Sequence, residues 1–259
     1  MERFLGWDCA NKTLAWSHVD IDTTIADKLA HLYDNLKSFS DRANGDMPRF
    51  LENTDNYNEL LDILNMGLFF TGRFIKYHSC NVVDFLNGEK VCNVSEVNRM
   101  KKLREFLINS KDISIDSLNS FDDGIKTQTI IESQPHTINS TSTSISMGLV
   151  FYYADFNPEF VSPKLKNNIA LSDDLEFSKY LDNEINNYIA KKGTKPDKQT
   201  LKRLAYTARK KHSKDNFLYL IKVFGVEDII KGIPKSCLDD LADSTMEILA
   251  KLIRDKKIR

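Results

Sequence analysis

Little in this sequence marks a secreted, zinc-knuckle or membrane protein. Its four cysteines, Cys9, Cys80, Cys92 and Cys237, include no close pair. That spacing excludes a zinc knuckle and a CxxC redox motif, and leaves scattered buried thiols in a reducing compartment. No window approaches the roughly 18 apolar residues of a membrane span, and the richest, "MGLFF", is far shorter. The opening "MERFLGWDCANK" lacks a basic region followed by an apolar core, so no signal peptide is expected. There is no internal repeat and no long low-complexity tract. What remains is ordinary: 259 residues, 41% hydrophobic and 28% charged. Such a chain is expected to be soluble and intracellular and to bury a core of its own.

Large net charge is missing too, but only in the total. The sum is −1, yet residues 191–214 hold ten Lys/Arg against the single acid Asp197. Residues 251–259 add five basic residues against Asp255, so the last 69 residues carry about +9 and the first 190 about −10. A basic end of this kind is the footprint of a phosphate-backbone binder. A solvated helix face is the other reading.

Periodicity places the elements. "RFLGWD" and "TLAWSHVD" read as two strands joined by the turn "CANK", with Asp8 at the turn end of the first. From about Thr24 to Tyr77 the period becomes helical. Ile25, Leu29, Leu32 and Leu36 share one face, Leu60, Leu64, Leu68 and Phe74 suggest a second helix, and "NGDMP" separates the two. This block interrupts a run of strands and reads as an insertion over 24–79. "NVVDFLNGEKVCNV" carries an Asn-Gly between β-rich halves, which predicts a hairpin. Ser95 is a candidate N-cap for a helix with Val97, Met100, Leu103 and Leu107 on one face. "KTQTIIE" predicts a strand ending at Glu132, Ser140 to Tyr153 a helix, and "PEFVSP" a short further strand. A helix and an exposed basic loop follow over 171–200, forming a second, smaller expansion. Phe217, Leu220, Ile221 and Phe224 line a helix capped by Gly225, and a last helix runs from near Ser236 toward Arg254. Together these predict one α/β domain with a mixed sheet.

Three places put carboxylates where packing does not require them. Asp8 and Glu132 each end a strand, and "CLDDLADSTMEILAKLI" opens a helix with Asp239, Asp240 and Asp243. Leu238, Leu241, Met246, Leu249 and Leu252 form that helix's apolar stripe. Ser236 and Asp239 have the spacing of a capping box, which gives Asp239 a structural role. Asp240 and Asp243, three apart, are neighbours on one face. Were four carboxylates to converge from two strand ends and a helix, they would repel one another unless cations neutralised them. Hard divalent ions, Mg²⁺ or Mn²⁺, suit such oxygen ligands, because no His or Cys is placed to help. Two such ions form the clamp used to hydrolyse phosphodiesters.

In order along the chain, "FLGWDCANKTLAW", "TIIESQP", "ARKKHSKDNFLYLIKVFG" and "LDDLADS" form a set. This set resembles the RuvC-type Holliday junction resolvases of poxviruses and other large DNA viruses. The resemblance implies a ribonuclease-H-like fold, a five-stranded mixed sheet flanked by helices, with the 24–79 block as an addition. It implies Asp8, Glu132, Asp240 and Asp243 as catalytic ligands of about two Mg²⁺ or Mn²⁺ ions per site. Arg209, Lys210, Lys211 and Lys214 would face the DNA backbone, with Lys12 as a lesser phosphate contact and Tyr206 as the candidate for base stacking. It further implies a homodimer acting on four-way DNA junctions in an infected cell during viral replication or recombination, with no membrane association. Another nuclease of the same fold, acting on a flap or an RNA–DNA hybrid, and an inactive DNA-binding scaffold remain as rival readings.

Smaller expectations complete the picture. Pro135 ends the strand behind Glu132, and Gln134 has a backbone role. Thr137, Ser140 and Thr141 cap the next helix, and His136 is an inert loop residue. Trp7 and Trp16 belong to the core, and Phe69, Phe70 and Phe74 pack the added helices.

Overall fold

The structure, a computed structural model, describes residues 1–10, 12–133 and 140–258. The expectations for Gln134, Pro135, His136 and Thr137, and for the side chain of Ser140, lie outside the described residues. β1 (Glu2–Cys9) and β2 (Thr13–Ile21) form the predicted antiparallel hairpin, with Trp7 opposite Trp16 and Asp8 opposite Ala15. Three helices follow, α1 (Thr23–Arg42), α2 (Met47–Phe50) and α3 (Thr54–Phe74). β3 (Ile75–Asp84) pairs antiparallel with β2. After α4 (Glu96–Asn109) and α5 (Ile115–Asn119), β4 (Thr127–Glu132) lies parallel to β1. α6 (Ser140–Tyr152) leads to β5 (Glu159–Val161), which is parallel to β4. The chain closes with α7 (Phe177–Lys192), α8 (Lys198–Val223) and α9 (Leu238–Arg254). The sheet order is β3-β2-β1-β4-β5.

Side chains alternate across a strand, and that alternation splits the core in two. Phe4, Val19, Ile21, Ile130 and Val161 point to one face, where Phe217, Leu220 and Ile221 of α8 and Leu241, Met246, Leu249 and Leu252 of α9 cover them. Leu5, Trp7, Leu14, Trp16 and Ile131 point to the other, under Leu103 and Leu107 of α4 and Ile145 and Leu149 of α6. The tryptophans are core residues as expected, with ring centroids 5.9 Å apart. A five-stranded mixed sheet flanked by helices, with extra helical segments, is consistent with the ribonuclease-H-like fold.

α9 comes unusually close to the sheet, and Gly6 is the reason. A Cβ at Gly6 would lie 2.1 Å from the Ser244 carbonyl oxygen and 2.9 Å from the Ile248 side chain. Backbone cannot swing aside as a side chain can. Gly6→Ala is therefore expected to cost about 1–3 kcal/mol in denaturant unfolding through overpacking. An unchanged midpoint would show that α9 can lift without loss. The helix is also tied down by hydroxyls. Ser17 Oγ lies 2.8 Å from Ser244 Oγ and 2.7 Å from Thr245 Oγ1, which also meets the Tyr77 hydroxyl at 3.2 Å.

Elsewhere the structure corrects local expectations. The Asn-Gly turn forms, with φ of 53° at Asn87 and 86° at Gly88, but the second hairpin strand does not. The Asp84 carboxylate accepts hydrogen bonds from the Leu86 and Gly88 amides at the end of β3. The chain then winds into a 3-10 turn over Val91–Asn93, which lets Val94 join the second core beneath α4. Burying that side chain replaces pairing along the β3 edge. The helical period stops at Phe74 rather than Tyr77, because β2 offers an edge on which Ile75 onward can pair.

α1 and α3 share a small cluster built on Leu32, Phe39 and Ile63, with Phe70 packed against it. Phe74 instead enters the sheet core, 4.9 Å from the Phe224 ring, and Phe69 is half exposed beneath Arg73. Of the three phenylalanines expected among the added helices, only Phe70 packs against their cluster. Of the four thiols expected to be buried, Cys9 is, Cys80 and Cys237 are partly buried and Cys92 is exposed, and no disulfide links them. Among the described residues, no helix is long and apolar enough to cross a membrane.

Candidate active site

Strand pairing brings the first two carboxylates together. Trp7 pairs with Ile131 across the parallel β1–β4 ladder, so Asp8 and Glu132 each follow one residue beyond that pair. Alternation turns both onto the face that carries Gly6 and Ile130, beneath α9. The apolar stripe of α9 seats that helix on the sheet, and Asp243 is buried on it at 4% exposure. The capping box expected at Ser236 and Asp239 is absent. A 3-10 turn over Lys235–Cys237 leads directly into α9, Cys237 stands at the N-cap without a side-chain hydrogen bond, and Asp239 sits within the first turn.

Two lysines hold the acids. Lys166, from a 3-10 turn (Pro163–Asn168) after β5, places its ammonium 3.0 Å from Glu132 Oε2, 2.9 Å from Asp243 Oδ1 and 3.1 Å from Glu247 Oε1. Lys210, midway along α8, reaches the other side. Its ammonium lies 2.8 Å from Asp243 Oδ2, 3.0 Å from Asp240 Oδ1, 3.7 Å from Asp8 Oδ2 and 3.9 Å from Asp239 Oδ2. Asp243 therefore bridges the two ammonium groups, one oxygen to each. All four predicted acids meet in one cluster, and Asp239 stands at its rim.

The protonation pattern follows from burial and from these two charges. Burial, with the Glu132 charge beside it, pushes Asp8 well above the usual carboxylate range, and Lys210 only partly opposes this. Burial likewise raises Asp240 against the pull of Lys210. Burial works upward on Asp243 as well, but Lys166 and Lys210 together hold it below its ordinary value. Glu132 also falls below its ordinary value despite burial, through the Lys166 charge and a hydrogen bond with Glu247. Burial pushes Glu247 well up, and the Lys166 charge only partly opposes this. Burial alone would lower both lysines, and the surrounding carboxylates raise them instead.

Glu247 and Lys166 are the members that sequence reasoning missed. For Glu247 a signal existed. Asp240, Asp243 and Glu247 are spaced by three and four, which puts all three on one helical face. Lys166 had none, being one lysine in the irregular stretch "SPKLKNN".

The predicted DNA-contacting residues divide. Lys12 pairs with Asp84 at 2.9 Å, and Lys211 pairs with Glu184. Arg209 donates from Nε to Asn167 Oδ1 at 3.2 Å, Lys214 is half-buried, and Lys210 belongs to the acidic cluster. Tyr206 is 58% exposed. A short, mostly exposed loop over 193–197 follows α7, as expected, and Asp197 then caps α8 by accepting from the Thr200 amide. Lys198, Lys202 and Arg203 stand exposed on its first turns.

Residues 170–255 match the family model of the Poxvirus A22 protein. This is the poxvirus Holliday-junction resolvase family. The matched stretch covers a third of the chain and contains Lys210, Asp239, Asp240, Asp243 and Glu247. It leaves Asp8, Glu132 and Lys166 outside. No curated protein and no solved structure matches the chain.

The donor set suits a hard divalent ion. The cluster offers carboxylate oxygens with no thiol or imidazole among them, and Asp243 Oδ1 is buried without a hydrogen bond although an ammonium faces it. As the side chains stand, however, the oxygens close around the two lysines. Among the described residues, no group of three or more His, Cys, Asp or Glu is arranged to hold a metal ion.

Proposed function

We propose that the chain is a divalent-metal-dependent endonuclease that cuts branched DNA, four-way junctions above all, and works as a homodimer. The observation that carries this reading is the convergence of Asp8, Glu132, Asp240 and Asp243, from two strand ends and one helix, beside a basic helix that lies in the resolvase-matched stretch. Asp8, Asp240 and Asp243 would hold the cation, with Glu132 beside them on Lys166. When bound, it would supply Lewis-acid polarisation of a phosphoryl oxygen and a more acidic water.

The remaining work falls to the chain itself. The exposed cations of α8 bind the phosphate backbone, with Tyr206 available to stack on an unpaired base. Lys210 carries its charge from the basic surface of α8 into the acidic cluster, so it can contact a phosphate drawn in there. A two-fold substrate favours a two-fold enzyme with one site per strand.

A panel of four-way junction, flap, RNA–DNA hybrid and linear duplex, each with Mg²⁺ or Mn²⁺, tests the proposal. Junction nicking at least about tenfold faster than duplex nicking is expected, with binding that weakens steeply as salt rises. Faster cutting of the flap or hybrid would keep the nuclease and change its substrate. The internal neutralisation of the acids by Lys166 and Lys210 favours one alternative, a scaffold that binds junctions without cutting. An uncut junction with both metals would establish it.

A further inference from the structure

We infer that Lys166 is a resident cation of the carboxylate cluster, filling one of its two cation positions, so that the site accepts a single divalent ion on the Lys210 side. The inference rests on the metal-dependent reading above and deepens it.

The two lysines differ in ways that decide which one can leave. The Lys166 side chain is 1% exposed, and its ammonium meets three carboxylates, on Glu132, Asp243 and Glu247, all within 3.1 Å. Lys166 donates hydrogen bonds to Glu132 Oε2 and Glu247 Oε1, and its charge also faces Asp243 Oδ1 at 2.9 Å. It sits at the inner end of the cluster, where withdrawing it would leave buried carboxylates uncompensated. The Lys210 side chain is 24% exposed. Two of its four contacts are long, at 3.7 and 3.9 Å. It springs from the helix whose outer face is basic and solvated. A long, flexible lysine in that position can carry its head out to water, or to a phosphate, at small cost.

Exchange of Lys210 for a divalent ion would leave Asp8, Asp240 and Asp243 free to act as hard oxygen ligands. Glu132 and Glu247 would stay committed to Lys166. The cluster would then be neutralised by one fixed organic cation and one exchangeable metal ion, not by two metal ions.

Counting ions tests this without relying on turnover. Mn²⁺ is titrated into the full-length chain by calorimetry, and thermal melts are recorded across the same concentrations, for wild type, Lys166→Met and Lys210→Met. Wild type is expected to bind one Mn²⁺ per chain and to melt cooperatively without it. Lys166→Met is expected to melt lower without metal, to regain that loss with Mn²⁺, and to bind two ions. Lys210→Met is expected to keep one ion and bind it about tenfold more tightly, because no ammonium competes. Two ions in wild type would overturn the role of Lys166 while sparing the metal-dependent reading. No ion in any of the three would overturn both. Should Lys166→Met fail to fold, the wild-type count decides by itself.

Discussion

Asp8→Asn is expected to abolish junction cleavage while leaving junction binding within about twofold of wild type. A loss of at least a thousandfold corresponds to about 4 kcal/mol in the barrier. The substitution is nearly isosteric and removes only the charged oxygen of a residue that is 8% exposed at the end of β1. Burial already pushes Asp8 toward its neutral form in the metal-free protein, so a neutral amide suits the resting fold. The melting temperature without metal should therefore hold or rise. Lys210 keeps its closer contacts to Asp243 and Asp240, and the exposed cations of α8 are untouched, which is why binding should persist. Cleavage assays, gel shifts and melts on one preparation separate these effects. A variant that keeps more than a tenth of the cleavage rate would remove Asp8 from the site.

The largest stability loss is expected at the opposite end of β1. Arg3 is 1% exposed and grips Asp20 with two hydrogen bonds of 2.7 and 2.9 Å. It also binds Asp123 and lies 4.2 Å over the Phe121 ring. Asp20 in turn meets His78 at 2.9 Å. Arg3→Leu would leave a buried carboxylate with His78 as its remaining side-chain partner, and removing one partner of a buried pair costs about 3–5 kcal/mol. Because an unpaired charge is the cause, Arg3→Leu combined with Asp20→Leu should recover much of the loss.

The pH dependence has a definite sign. Burial works to raise Asp20, but hydrogen bonds from His78 and Arg3 hold it well below its ordinary value. Its stabilising contribution is therefore complete above about pH 4, the usual unfolded carboxylate value, and fades as the pH falls toward its lower native value. The penalty of Arg3→Leu should shrink in acid accordingly. Denaturant unfolding at pH 7 and pH 3 checks both statements, and an equal penalty at the two would show that lost packing, not charge, is responsible.

What could be read from the sequence follows from what is local. The β1–β2 hairpin, the Ser95 cap, the strand ending at Glu132 and the stripe of α9 depend on neighbours within a few residues, and all of them form. The Asn-Gly hairpin and the Ser236 capping box have equally good local signals, but tertiary demands override them. Val94 gains more by entering the core, and a 3-10 turn delivers the chain to α9.

The convergence of Asp8, Glu132, Asp240 and Asp243 was an inference from chemistry, and the fold brings the four together. Their partner Lys166 could not be foreseen. A lysine's burial depends on acids 34, 77 and 81 residues away, and no periodicity records that. The Arg3–Asp20 pair was equally hidden, since each residue lies within a strand pattern that reads as apolar alternation.

The two-sided grip on Asp243 has a consequence for how such a protein can change over time. One carboxylate fastens α9 both to α8 and to the turn after β5, so the acid proposed to hold a metal ion also holds the assembly together. A lineage that stopped cutting DNA could not simply let this acid drift, because each loss would strand a buried ammonium. Under the proposed function the carboxylates would be protected twice, once by chemistry and once by architecture. A silent descendant would be expected to lose first what only the reaction needs, the exposed cations along α8, while the acidic heart of the fold stayed intact.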